Sequence, residues 1–253
     1  MFTVSNSIMK FVASLSQKKH RDKENCFVAE GTKCVLDTWD YFKCRMIIAT
    51  QNWYETFGNQ SHLNLMHIAS RQQMQKMSQF SNPSEVIAVY EIPQLENSNE
   101  IENNLNIVLD GVQDPGNLGT IIRLADWFGI YDIFCSKQTV DVYNHKVVQA
   151  TMGAISRVRV HYCDLEDLIL SHKSMPVYGT ALDGENIYQA ALPDHGFVIF
   201  GNEGNGMTKE LKELTTSNLL IPSGNGDGAT SESLNVGLAA AITISEFCRK
   251  KLR

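Results

Sequence analysis

Five polar residues draw attention by type and position: Asn117, Arg123, Glu203, Ser233 and Asn235. Each lies in or just beyond a glycine-punctuated loop that follows an apolar run. The three segments read VLDGVQDPGNLGTIIRLADWFG (108–129), VIFGNEGNGM (198–207) and LLIPSGNGDGATSESLNVGLAAAI (219–242). Each pattern is strand, polar loop, helix. Three such crossings put three loops at the carboxyl ends of parallel strands, where open α/β sheets bind ligands. A cation, a carboxylate, two carboxamides and a hydroxyl brought to one crevice would hold and align a polar substrate.

Each loop also has a purely structural reading. In the first, Asp114-Pro115-Gly116 reads as a turn, because Pro presets its own φ and Gly relaxes the next position. Asn117 falls where a helix N-cap belongs. Arg123 is either a surface residue paired with Asp126 three positions on or a cation facing the crevice. In the second loop Gly201, Gly204 and Gly206 allow close backbone approach. No Gly-Lys-Ser/Thr follows, so it is not a nucleotide P-loop. Glu203 is either solvated or orients a cation such as Arg123. In the third, Ile221-Pro222 ends a strand, and Ser233 and Asn235 read on their own as helix caps.

The strands and helices needed to position these loops are legible in the alternation. Strands are expected at 105–110, 131–135, 158–162, 176–180, 197–201 and 218–221, with helices at 118–128, 145–154, 164–171, 207–216 and 233–250. Strand–helix alternation implies a parallel sheet covered on both faces. The runs IVL and FVIF suit strands buried on both sides. An acidic, Asn-rich stretch, EIPQLENSNEIENN (91–104), reads as a linker. It divides the chain into a first domain at 1–95, a linker at 96–104 and a second domain at 105–253. The first domain reads as a small α/β unit, with strands near 27–31, 44–50, 65–69 and 85–90 and helices near 32–42, 51–62 and 70–79. Its His62 and His67 have no sequence partner and read as surface or core histidines.

Composition narrows the class. The chain has 253 residues, 43% of them hydrophobic and 20% charged, which is ordinary for a globular protein. Six cysteines show no CxxC pair and no zinc-like spacing. They read as reduced, mostly buried thiols of a cytoplasmic protein. The amino terminus lacks the pattern of a secretory signal, and no run approaches the roughly 20 apolar residues of a membrane span. Net charge is −6, which argues against bulk nucleic-acid binding. Local cation clusters remain at Lys18, Lys19, His20, Arg21 and Lys23 and at Arg249, Lys250, Lys251 and Arg253. The second suits a helix carboxyl end. The first reads equally as a phosphate-tracking edge or a solvated one.

Together the three loops resemble the motifs of the SpoU/TrmH family of RNA ribose 2′-O-methyltransferases, part of the SPOUT class. The motifs are N-x-G-x-x-x-R at Asn117–Arg123, G-N-E-G at Gly201–Gly204, and I-P followed by S-L-N-V at Ser233–Val236. The match covers about residues 104–250. A strand reading F-V-x-E-G at Phe27–Gly31 is similar to the family's RNA-binding domain. The resemblance implies an α/β fold: a parallel-sheet SPOUT catalytic domain with a C-terminal trefoil knot, and a small N-terminal α/β domain that binds RNA. It implies S-adenosylmethionine as methyl donor, with no metal, held at Gly201, Ile221 and Leu234. It implies Arg123 as the central catalytic residue, arranged by Asn117, Glu203, Ser233 and Asn235, and a homodimer acting on structured RNA, ribosomal RNA ahead of transfer RNA. Relative to this pattern, the 223–232 span, with Gly224, Gly226 and Gly228, is long. Two other readings stand beside it. One is a non-catalytic RNA-binding relative, against which the intact polar set argues. The other is a nucleotide-dependent oxidoreductase, against which the missing first-strand fingerprint argues.

Overall fold

In the computed structural model the described residues are 2–58, 63–95, 101–225 and 233–250. His62, Gly226, Gly228, Lys251 and Arg253 lie outside them. The chain forms two compact units, Met1–Gln94 with Asp141–Ser156, and Leu95–Val140 with Arg157–Arg253. The segment 141–156, placed by sequence in the second domain, therefore packs within the first unit.

The first unit is built on a five-stranded mixed sheet. Its elements are β1 (Phe2–Thr3), α1 (Asn6–Ser14), α2 (Lys18–Glu24), β2 (Cys26–Glu30), α3 (Thr32–Thr38), β3 (Cys44–Ala49), α4 (Gln51–Phe57), β4 (Met66–Ile68), α5 (Arg71–Met77) and β5 (Val86–Glu91). Strand order is β1-β4-β3-β5-β2, with β5 antiparallel to both β3 and β2. The start of α5 is fixed by a capping box in which Ser70 and Gln73 satisfy each other's backbone amides. Val12 and Leu15, from α1 and the turn after it, and Met74 and Met77 of α5 pack with Val28, Ile48 and Ile87 in one core. Across β2, Phe27 stacks among Phe42, Tyr90 and Tyr143. Tyr143 belongs to the 141–156 segment, which also carries a short helix at His145–Ala150. An aromatic pocket around Phe27 thus holds this segment in the first unit.

Arg21 departs from its expected place among solvent-facing cations. It is 3% exposed. Its Nε donates to Asp141 Oδ2 at 3.2 Å, its Nη2 donates to the same oxygen, and its Nη1 donates to the carbonyls of Leu15 and Ser16. A guanidinium has enough donors in fixed geometry to satisfy all three partners, so Arg21 is a structural tie. His67, on β4, is half-buried.

The second unit carries a six-stranded, wholly parallel sheet, in keeping with the sequence reading. The strands are β6 (Leu105–Leu109), β7 (Asp132–Cys135), β8 (Arg159–Tyr162), β9 (Val177–Asn186), β10 (Gly196–Phe200) and β11 (Ser217–Leu220), in the order β11-β9-β10-β6-β7-β8. Every residue of β6 and β10 is buried. The helices are α6 (Pro115–Phe128), α7 (the His145–Ala150 helix of the first unit), α8 (Leu165–Ser171), α9 (Lys209–Glu213) and α10 (Val236–Cys248). Leu165, Ile169 and Leu211 of α8 and α9 pack with Val108, Phe134, Phe197 and Ile199. Helices α6 and α10 pack against each other, burying Ile121, Ile122, Ala125, Ala240 and Ile244. β9 runs on to Asn186, well past the expected 180, because Leu219 and Leu220 of β11 pair with Glu185 and Asn186 after a register shift.

Candidate active site

The carboxyl ends of β6, β10 and β11 carry the three polar loops. The first loop enters α6 three residues earlier than the sequence suggests. Asp114, not Asn117, is the N-cap, and its Oδ1 accepts from the Asn117 amide at 2.8 Å. Pro115 fills the first helical position, where a missing N–H costs nothing. Asn117 is thereby moved inside the first turn, and its side chain is released from capping.

That side chain links the other two loops. Asn117 Nδ2 donates to Glu203 Oε1 at 3.0 Å, and Asn235 Nδ2 donates to Asn117 Oδ1 at 3.0 Å. Asn235 Oδ1 then accepts from the amides of Gly237 and Leu238, which caps α10. The orientation is forced in sequence. A carboxylate only accepts, so Asn117 must present its NH2 to Glu203 and its oxygen to Asn235. Gly237 sits close to this network: a Cβ there would lie 3.2 Å from Asn235 Oδ1, and at ordinary contact distance from Thr120 Cγ2 and Asn117 Oδ1.

The Gly201–Gly206 loop is held from within. Asn202 Oδ1 accepts from the Gly204 and Asn205 amides at 3.0 and 3.1 Å, its Nδ2 donates to the Gly111 carbonyl at 2.8 Å, and its backbone pairs with Gly206. Just beyond, Asp110, buried at the end of β6, accepts from the Thr208 amide at 2.7 Å. Sequence reading passed over both residues. The signals were an Asn between glycines, the usual seat of a side chain closing its own turn, and an Asp at a strand end. Gly201 has no room for a side chain, since a Cβ would lie 2.2 Å from the Gly206 carbonyl carbon and 2.3 Å from the Met207 nitrogen.

Beside this loop lies a cavity of about 520 Å³ at the carboxyl ends of β9, β10 and β11. Gly201, Glu203, Ile221, Ser233 and Leu234 all line it, with Phe200, Met207, Leu219 and Val236 supplying apolar wall and Asp183 and Lys212 supplying charge. Ser233 is exposed and leaves helix capping to Asn235. Apolar walls with few polar groups, next to the exposed backbone of a glycine loop, fit a flat nucleoside with a polar tail. The donor set therefore suits an adenosyl ligand.

Arg123 stands apart. It is exposed on α6, does not line the cavity, and makes no ion pair among the described residues. The first of its two readings, a pairing with Asp126, is not formed: Asp126 takes a bidentate contact from Arg157 at 2.8 Å on both arms. Glu203 likewise turns to Asn117 and not to Arg123. Thr120 and Trp127 share the exposed side of α6 with Arg123, and Trp127 is 83% exposed. Leu234 and Leu238 are exposed at the start of α10.

The cysteines offer no ready nucleophile. Burial pushes the Cys34 thiol up to about 11 and Cys44 up to about 12, and it also raises Cys135 and Cys163. No helix among the described residues is long and apolar enough to cross a membrane.

Comparison with known proteins agrees with this geometry. Residues 104–245 match the model of the SpoU rRNA Methylase family, and residues 6–88 match an MRM3-like substrate binding domain. The chain is 30% identical over 250 residues to RlmP of Bacillus subtilis (strain 168), named a 23S rRNA (guanosine(2553)-2′-O)-methyltransferase, covering 96% of each chain. It superposes on a TrmH-family protein from Porphyromonas gingivalis with a TM-score of 0.87 at 35% identity, covering 98% of this chain and 99% of that one. It also superposes on the AdoMet-bound rRNA methyltransferase of Sinorhizobium meliloti with a TM-score of 0.86 at 28% identity, covering 100% and 98%. With its three motif loops joined by the Glu203–Asn117–Asn235 hydrogen bonds, and the second and third of them lining one cavity, this chain belongs to the SpoU rRNA methylase family and is a methyltransferase by that membership.

Proposed function

We propose that the protein transfers a methyl group from S-adenosylmethionine to a ribose 2′-hydroxyl of structured RNA, ribosomal RNA ahead of transfer RNA. The observation that carries this reading is the Glu203–Asn117–Asn235 chain of hydrogen bonds, which ties all three motif loops together, with Glu203 on the cavity wall and Asn117 and Asn235 behind it in the chain. Support for ribosomal RNA comes from the 23S rRNA relative matched along nearly the whole chain. In this reading the first unit, residues 1–95 in outline, selects the RNA, the second is the knotted catalytic domain, and the reaction takes place in the cytoplasm.

S-adenosylmethionine, when bound, supplies a methyl group made electrophilic by its sulfonium, so the transfer needs no metal. Gly201, Ile221 and Leu234 hold the donor, through backbone groups and apolar surface. Glu203 and Asn235 fix the Asn117 carboxamide, and with Ser233 they present polar groups to the ribose. Arg123 keeps its proton at any working pH. It acts by charge, gripping RNA phosphate and lowering the 2′-hydroxyl pKa, and not as a literal base. The hydroxyl proton passes to water as the O–CH3 bond forms, the S–CH3 bond breaks and S-adenosylhomocysteine leaves. Alignment and fixed charge then supply most of the rate. Trp127, which shares α6 with Arg123, and Leu234 and Leu238 at the start of α10 are exposed and suit burial in a homodimer.

The test is transfer of labelled methyl from S-adenosylmethionine to deproteinised ribosomal RNA and to transfer RNA, followed by mapping of the ribose methylations lost on gene deletion. Transfer to ribosomal RNA alone is expected. Transfer only to transfer RNA would reverse the preference, and RNA binding without any transfer would favour the non-catalytic relative.

A further inference from the structure

The cations of the first unit differ in their partners, and Lys10, Lys19 and Lys146 are exposed without an ion pair among the described residues. Lys18, Lys23, Lys33 and Lys43 each pair with a carboxylate, and Arg21 is buried against Asp141. Arg45 lies over the Phe11 ring and donates to Cys26. On the basic edge at 18–23, Lys18, Arg21 and Lys23 are thus neutralised within the fold, and Lys19 is left exposed. Arg71 and Lys76 are unpaired as well, and they occur together. Both are exposed on α5, and neither forms an ion pair among the described residues.

Both also line one shallow depression of about 590 Å³, together with Gln72, Gln75, Asn82 and Pro83. No carboxylate lines it. Helical spacing puts Arg71, Gln72, Gln75 and Lys76 on the outward side of α5, because Met74 and Met77 take the inward side. The opposite wall is fixed from below. Glu30, 6% exposed, accepts from Ser78 Oγ at 2.5 Å and from the amides of Gln79 and Ser84 at 3.3 and 3.1 Å. A buried carboxylate thereby ties down both ends of the loop bearing Asn82, so little order has to be gained when a ligand arrives.

Two unpaired cations flanked by three carboxamides, with no opposing charge, match the needs of an RNA backbone. Phosphate takes the charges, and carboxamides both donate to and accept from ribose hydroxyls and base edges. We propose that the depression between α5 and the 81–83 loop is the surface of the first unit that grips the RNA backbone, with Arg71 and Lys76 as its phosphate contacts. This rests on the reading of the protein as an RNA methyltransferase and replaces the 18–23 edge as the RNA-tracking surface.

The test uses the full chain and filter binding of labelled, deproteinised total ribosomal RNA across a salt series. The variants are R71A/K76A and, for comparison, K18A/K19A. Loss of two phosphate contacts lowers the slope of log affinity against log salt by about 1.4 to 1.8, and weakens binding roughly tenfold at low salt. K18A/K19A is expected to stay near wild type, and S-adenosylmethionine affinity is expected to be unchanged in both, which shows that the second unit is intact. Unchanged affinity and slope in R71A/K76A, with wild type binding RNA, would overturn the surface alone. So would a loss confined to K18A/K19A. Failure of wild type to bind RNA would overturn both the surface and the functional reading on which it rests.

Discussion

Asn117 and Glu203 stand 86 residues apart in the chain and 3.0 Å apart in space. The contact joins the first and second motif loops, and Asn117 passes it on to Asn235 in the third. Because Glu203 can only accept, the link depends on the NH2 of Asn117. Asn117→Ala removes one hydrogen bond to each neighbour, and the transfer rate should fall about tenfold. Asn117→Asp, although isosteric, sets a second carboxylate against Glu203 and should be worse than Ala. Single-turnover methyl transfer ranks the two variants. An Asp variant as active as wild type would remove the bridge from the mechanism.

Gly201 is the tightest position in the second loop. The Cβ of Gly201→Ala would overlap the backbone of Gly206 and Met207, which cannot yield as a flexible side chain would. The loop must open, at a cost of about 1–3 kcal/mol for overpacking. Calorimetric titration with S-adenosylmethionine should show binding lost or greatly weakened, alongside a lowered Tm. Near-normal affinity would place the donor elsewhere.

Arg123 has neither the ion pair with Asp126 nor the contact with Glu203 that its sequence position allowed. A residue with so few internal ties contributes little to the fold. Arg123→Ala should therefore leave Tm and S-adenosylmethionine affinity close to wild type while nearly abolishing methyl transfer. Arg123→Lys keeps the charge but loses the planar fork, and should recover only part of the rate. Loss of donor binding in the Ala variant would mean that Arg123 serves the cavity and not the RNA.

The elements of the second unit were legible because fully apolar strands such as FVIF alternate with amphipathic helices, and every expected strand is present within a residue or two at its start. The polar set was legible as a list of residues but not as a network. From sequence alone capping accounts for Asn117, but Asp114 holds that place. In the first unit α1 and α2 are not legible, because Ser and Lys interrupt the apolar residues of α1, and the short α2, KKHRDKE, has no apolar residue and buries only Arg21. The placement of 141–156 was not readable at all. It depends on Tyr143 meeting Phe27 and on Asp141 meeting Arg21, contacts between residues more than a hundred positions apart.

The Arg21–Asp141 tie should matter more to stability than any surface pair in the protein. Removing the guanidinium leaves a mostly buried carboxylate and two carbonyls without their donor. Arg21→Ala should cost about 3–5 kcal/mol, the range for breaking a buried pair from one side. Arg21→Lys should rescue only part of this, since an ammonium cannot reach the carboxylate and both carbonyls in one plane. Lys18→Ala, which removes an exposed pair, should cost less than about 1 kcal/mol. Urea denaturation measures all three. A near-neutral Arg21→Ala would mean that the 141–156 segment is held by its aromatic contacts alone.

Acid sensitivity is the last expectation. His145, the first residue of α7, has its pKa lowered from 6.5 by burial, and further by the charges of Lys146 and Arg21. Its Nδ1 is buried without a hydrogen-bond partner among the described residues. The folded protein therefore resists protonating this ring while the unfolded chain accepts the proton near 6.5. Between the two values the unfolded state binds more protons, so stability rises with pH. It is complete above about 6.5 and falls as pH drops through that value towards the lower folded pKa. His67 shifts the same way, through burial and the charge of the amino terminus. The urea midpoint should thus fall between pH 7.5 and 5.5, and His145→Asn should flatten that fall without abolishing it. A pH profile identical in wild type and His145→Asn would assign the acid loss to His67 or to the carboxylates.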